Sequence, residues 1–171
     1  TSADAFIHVV DMSGETDSGG KATSNHDPAL DIRFIERELD LWYLGILGKV
    51  WRTFSRTIEM QKTKFAQEVA RQFSGLKVKE DDVNHVVLKL KYDPEKPSAW
   101  SDAQVSEFAR ALRKHTKPMV IAANKIDRPL GKENFERVRK EFEYPMIPCF
   151  AEGELTLRQA DRIGLIDYIP G

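Results

Sequence analysis

Residues 118–123 read Pro-Met-Val-Ile-Ala-Ala, a short uncharged run that stops at Asn124-Lys125-Ile126-Asp127. Bounded by proline on one side and by turn-forming Asn and Asp on the other, such a run has the form of a strand covered on both faces by helices. Ala5-Phe6-Ile7-His8-Val9-Val10-Asp11 repeats the form with Asp11 at its carboxyl end, and Met146 to Phe150 gives a third strand. Helical patterns precede, separate and follow the strands at 118–123 and 146–150. Ser101 and Gln104 make a capping box ahead of Val105, Phe108, Ala109 and Leu112, which share one helix face. Glu133 to Phe142 and Leu155 to Arg162 read as further helices. Alternation of this kind predicts an α/β fold built on a doubly wound parallel sheet with flanking helices.

Between the first strand and that run lies a long helical segment. Met12 to Asn25 is rich in Gly, Ser, Thr and Asp and reads as a mobile loop. Asp27-Pro28 then opens a helix, with Asp as cap and proline at the first helical position. Ile32, Ile35, Leu39, Trp42 and Ile46 follow at 3-4-3-4 spacing, an a/d seam weakened by Gly45 and Gly48. A second stretch carries Trp51, Phe54, Ile58 and Phe65 to about Phe73, interrupted at Gln61. Two seams joined by a glycine-containing break predict an inserted antiparallel helical hairpin. Its arms differ in charge, with a net of −3 over 27–47 and +4 over 49–73. A short helix after Asp81-Asp82 and a rigid linker from Asp93 to Pro97 complete the insertion.

Composition sets bounds and points to no partner. With 171 residues, 41% hydrophobic and 31% charged, the chain is long enough for one α/β domain with a real core. A net charge of −1 gives no global field to attract nucleic acid or an acidic membrane. One cysteine, Cys149, excludes an internal disulfide framework and fits a reducing compartment. The apolar runs are far short of a membrane span and no signal peptide pattern is present, so a cytoplasmic location and no membrane partner are expected.

Asp127 carries the most specific chemistry. An ionised carboxylate only accepts hydrogen bonds, so at the mouth of a parallel sheet it can take the ring N–H and exocyclic amine of guanine, a donor pair that adenine lacks. Asn124-Lys125-Ile126-Asp127 resembles the guanine-reading loop of P-loop GTPases. Together with Ala5 to Asp11, His26-Asp27-Pro28, Glu38 to Trp42, Glu154 to Arg158 and Tyr168 to Gly171, it resembles the YchF branch of the Obg-related GTPases in its archaeal form, over nearly the whole chain. The resemblance implies a guanine site of Asn124, Lys125, Asp127 and Ala151. Asn124 bridges neighbouring loops, Lys125 lays its stem along the base with its ammonium left wet, and Ala151, opening the loop after the third strand, offers its N–H to the guanine carbonyl. Phe150 stands where the family usually has Ser, which removes a hydroxyl from that loop.

The resemblance further implies GTP and GDP as ligands and GTP hydrolysis by the intact protein. No G-x-x-x-x-G-K-[ST] and no D-x-x-G occur in the sequence. Gly19-Gly20-Lys21 is a decoy, since Glu15 sits where a glycine is needed and Ala22 has no hydroxyl for Mg²⁺. Phosphoryl transfer needs those parts. Residues 1–25 and 99–171 are therefore expected to be the base-binding half of a G domain and 26–98 a coiled-coil-like insertion. Mg²⁺ is expected only with the P-loop half. Alone, the chain is expected to bind nucleotide weakly, hydrolyse none, and self-associate through an uncovered sheet edge and face.

Other polar residues have plainer readings. His26, Asp27 and Asp17 lack metal-ligand spacing and read as a cap beside a solvent histidine. His8 reads as a core histidine with a hydrogen-bond partner, His85 and His115 as surface residues, and Cys149 as a small buried hydrophobe. Lys49, Arg52, Arg56, Lys62 and Lys64 have two readings. They form a stripe that meets ribosomal RNA, as the family's ribosome association implies, or they pair with the acidic first helix, and the second is the default for a charged helix face.

Overall fold

The computed structural model describes residues 3–170. Three strands, β1 (Phe6–Asp11), β2 (Met119–Asn124) and β3 (Met146–Pro148), form one sheet in that order. β2 and β3 are parallel, with Ile121 opposite Met146 and Ala123 opposite Pro148. Phe6 N–H donates to Pro118 O and Met12 N–H to Asn124 O, both at 2.9 Å. One constant offset relates the two bonds, so β1 runs the same way. Helices α1 (Pro28–Gly48), α2 (Trp51–Gln61), α3 (Phe65–Gln72), α4 (Glu80–Leu90) and α5 (Asp102–Thr116) lie between β1 and β2 in the chain. α6 (Gly131–Glu141) links β2 to β3, and α7 (Ala151–Arg162) follows β3. The α/β parallel-sheet class expected from the strand and helix alternation is the one observed.

The chain divides into two compact units, one of Ile7–Arg33 with the chain from Val120 on, the other of Phe34–Met119 with the residues up to Phe6. In the sheet unit, Val10, Met12, Ala29, Ile32, Ile121, Ala123, Phe135 and Val138 form the core. Asp27 caps α1 by accepting from Ala29 N–H at 3.0 Å, as the Asp-Pro signal predicts. The strands are not covered on both faces. Ile7 is 75% and Val9 64% exposed, and Ile147 of β3 is 56% exposed. A short apolar run fixes a strand but does not say how many of its faces meet helices.

The helical unit is more than a hairpin. α1 to α5 share one core in which Tyr43, Leu47, Trp51, Phe65, Val69, Phe73, Trp100 and Phe108 are buried. α5, which the sequence assigned to the sheet-bearing half, packs here against α4. The second seam breaks in two because Lys62 adopts a left-handed conformation (φ 52°) that ends α2. The face of α1 is also rotated from the expected seam. Tyr43 and Leu47 are fully buried while Trp42 is 38% exposed. The inward stripe continues through Glu36 and Asp40, which a count of apolar residues cannot see. They meet Arg113 of α5, which is fully buried, with Asp40 Oδ1 2.7 Å from the guanidinium.

Candidate functional site

β2 ends at Asn124, and Lys125 turns the chain with φ 61°. Arg128 N–H returns to Lys125 O at 3.2 Å, Gly131 N–H to Arg128 O at 2.9 Å, and α6 begins. Beside this loop, Cys149 N–H donates to Ala123 O at 2.7 Å and Ala151 N–H donates to the Asn124 side-chain oxygen at 3.1 Å. The two strand ends are thus laced together by backbone and by one amide side chain. Asp127 lies at the open end of the first loop with its side chain 30% exposed. Arg128 sits by both loops, its Nε 3.9 Å from Asp127 Oδ2 and its Nη2 3.6 Å from Glu152 Oε2.

Ala151 is the first residue of α7 and does not open a loop. No side chain caps that helix start, and the Phe150 ring lies against Gly153, taking the space a Cβ there would occupy. This packing covers the segment at Phe150, where the sequence offers no hydroxyl.

Lys125 also differs from its expected role. Its ammonium is not left to water but donates to Asp11 Oδ2 at 2.7 Å. Asp11 further accepts from Ser13 N–H, the Ser13 hydroxyl and, at 2.5 Å, the Thr16 hydroxyl. Burial pushes the Asp11 carboxyl up, but the bonds from Lys125, Ser13 and Thr16 outweigh it and hold the group well below the usual carboxylate range. A depressed folded-state value means that this contribution to stability is full above the unfolded value and fades as pH falls through the window below it. Between about pH 5 and about pH 3, the native chain is expected to lose more unfolding free energy than Asp11→Asn, measured by denaturant titration. Equal losses would show that Asp11 is not a stabilising anion.

Relatives of this chain bear on these loops. Residues 122–171 match the family described as Obg-like GTPase YGR210-like, G4 motif-containing domain. That span takes in Asn124, Lys125, Asp127 and Ala151. An uncharacterised GTP-binding protein of Methanocaldococcus jannaschii is 42% identical over 165 residues, covering 96% of this chain and 41% of the relative. One of Schizosaccharomyces pombe is 31% identical over 170 residues, covering 99% and 41%. The crystal structure of a GTP-binding protein from Pyrococcus horikoshii OT3 superposes with a TM-score of 0.88 at 46% identity, covering 98% of this chain and 49% of that one. The chain therefore spans less than half the length of these GTP-binding relatives.

Except for Cys149, the remaining polar residues fall outside the segment that matches this G4 family. His26 is not a solvent histidine, because its Nε2 lies 3.0 Å from Asp31 Oδ2 with the side chain 13% exposed. His8 is half-buried with no partner for its Nδ1, and desolvation pushes its pKa down despite the nearby Asp31. His85 and His115 are exposed but stack on each other at 4.5 Å. Cys149 is half-buried, not enclosed, because β3 lies open beside it. The acids of α1 do not pair with α2. Glu36 and Asp40 meet Arg110, Arg113 and Lys114 of α5, and no ion pair links either acid to Lys49, Arg52, Arg56, Lys62 or Lys64. Among the described residues, no group of three or more His, Cys, Asp and Glu is placed to hold a metal ion, and no helix is long and apolar enough to cross a membrane.

Proposed function

We propose that this chain supplies the guanine-recognition loops of a YchF-type, Obg-related GTP-binding protein. The observation that carries the reading is the bond from Ala151 N–H to the Asn124 side-chain oxygen, which ties the loop bearing Asp127 to the start of α7. Asp127 then accepts the ring N–H and exocyclic amine of guanine. Since the Ala151 N–H is engaged by Asn124, the guanine carbonyl falls to the next amides, Glu152 and Gly153, which have no acceptor within their own helix. The positive end of α7 favours that oxygen. Lys125, anchored by Asp11, lays its alkyl stem along the base. Arg128 must release Asp127 as the base enters.

Hydrolysis in the intact protein is assigned to its phosphate-binding parts, and this chain's own contribution is selectivity for the base.

Calorimetric titration with guanosine, adenosine and xanthosine diphosphates tests the reading. GDP is expected to bind at least about tenfold more tightly than ADP, the equivalent of one net hydrogen bond. In Asp127→Asn the carboxamide offers a donor where xanthine carries a carbonyl in place of the guanine amine. That variant is expected to lose about a hundredfold in GDP affinity while gaining xanthosine diphosphate. Equal affinity of the native chain for GDP and ADP overturns the assignment.

A further inference from the structure

Resting on the guanine-loop reading above, we propose that Asp11 is a positioning residue for Lys125 and couples occupancy of the base loop to the segment from Ser13 to Thr16. Lys125 holds a left-handed backbone (φ 61°) that residues with a side chain seldom adopt, so something beyond local preference keeps the turn there. Its side chain reaches across to the end of β1. The ammonium donates to Asp11 Oδ2 at 2.7 Å, and among the described residues no other cation is paired with that carboxylate. The other acceptor positions of Asp11 are taken by one short stretch of chain. Ser13 donates its N–H at 2.9 Å and its hydroxyl at 2.6 Å to Oδ1, and Thr16 donates its hydroxyl at 2.5 Å to Oδ2. A carboxylate offers about four lone-pair positions, so all are in use. The buried Ser13 hydroxyl accepts in turn from Glu15 N–H at 3.1 Å, and Thr16 is bridged to Ala22. One anion thus closes both the base loop and the loop after β1.

Two further bonds join these loops without passing through Asp11. Met12 N–H donates to Asn124 O and the Asn134 amide to Met12 O, each at 2.9 Å. The backbone is therefore held when the Lys125 bond is removed, and what changes is the freedom of the side chain. A lysine stem fixed at its tip has lost its rotamer freedom before the base arrives. The Lys125 side chain is nonetheless 38% exposed, which leaves the stem open to a planar ring. Coupling is reciprocal: whatever the Asp11 network adds to base affinity, the bound base returns to the network. Occupancy is expected to tighten the segment from Ser13 to Thr16.

Calorimetric titration of the full chain with GDP and ADP is made on the native protein, Asp11→Asn, Lys125→Met and the double variant. Each single variant is expected to lose about tenfold in affinity for both purines, because the stem lies on a ring that they share, and the double variant no more than either single. The GDP-to-ADP ratio, set by Asp127, is expected to stay. Losses that add in the double variant mean that Asp11 acts on the loop and not through Lys125, and overturn the assignment. Amide exchange followed by NMR reads the coupling. Lys125→Met keeps an unbranched stem without the ammonium, and the Ser13 and Glu15 amides of the free variant are expected to exchange about tenfold faster than in the native chain. Saturating GDP is expected to slow both amides in the native chain and neither in Lys125→Met. Equal exchange in the free native chain and free Lys125→Met overturns the link, and this comparison decides where Asp11→Asn does not fold. Equal native affinities for GDP and ADP would instead remove the guanine reading, while the comparison between variants stays in force.

Discussion

Gly131→Ala is expected to lower the unfolding free energy by about 3 kcal/mol and to abolish the proposed preference for GDP over ADP, although alanine is the better helix former. Gly131 is buried at the first position of α6, where the helix start turns back under the base loop. A Cβ there would lie 2.3 Å from Lys125 O and 2.8 Å from Ile126 Cα. Both contacts are backbone, so no side chain can rotate away to relieve them. The intrinsic gain of roughly 1 kcal/mol from replacing glycine in a helix is smaller than the cost of forcing two backbone segments apart. The displaced segment is Lys125-Ile126, directly before Asp127, so the damage falls on the proposed base-recognition geometry as well as on stability. Gly45→Ala is the matched control. It lies within α1 with nothing within 4 Å of its added Cβ, and should stabilise by about 0.5–1 kcal/mol. Denaturant titration of both variants reads the contrast. A Gly131→Ala protein as stable and as selective as the native chain would mean that the base loop is not held by this close approach.

The parts of this molecule that depend on local rules were legible in the sequence. Asp27-Pro28 caps α1 and Ser101 with Gln104 caps α5, because a cap is a contact over two or three residues. The strand leading to Asn124 was legible for the same reason. What was hidden required partners far apart in the chain. Asp11 could be placed at a strand end, but its bond to Lys125 joins the end of one strand to the turn that follows another. Gly131 carries no signal of its own, since its constraint comes from backbone folded over it. The start of α7 was missed because Phe150 offers no capping side chain and acts by covering Gly153. The face of α1 was rotated by the same kind of gap: apolar periodicity ignores carboxylates, yet two of them point inward.

Those inward carboxylates set the second large effect. Asp40→Ala is expected to cost about 3–5 kcal/mol, more than Arg113→Met at the other end of the same contact. Arg113 is fully buried, and its Nε and Nη2 lie 2.8 Å and 2.7 Å from Asp40 Oδ1. Removing Asp40 keeps the guanidinium in the core and takes away its shortest ionic partner. Glu36 is also near, at 3.7 Å, but Lys114 draws on it at 2.8 Å. Removing Arg113 is gentler, because the Asp40 side chain is 21% exposed and can be hydrated, and methionine refills the buried volume. Replacing both as Asp40→Leu with Arg113→Met should recover most of the loss, since a well-packed apolar pair needs no compensation for buried charge. Denaturant titration of the two single variants and the double yields the coupling directly. If Asp40→Ala costs less than Arg113→Met, the buried guanidinium is satisfied by other groups and the pair does not fix the face that α1 presents to its core.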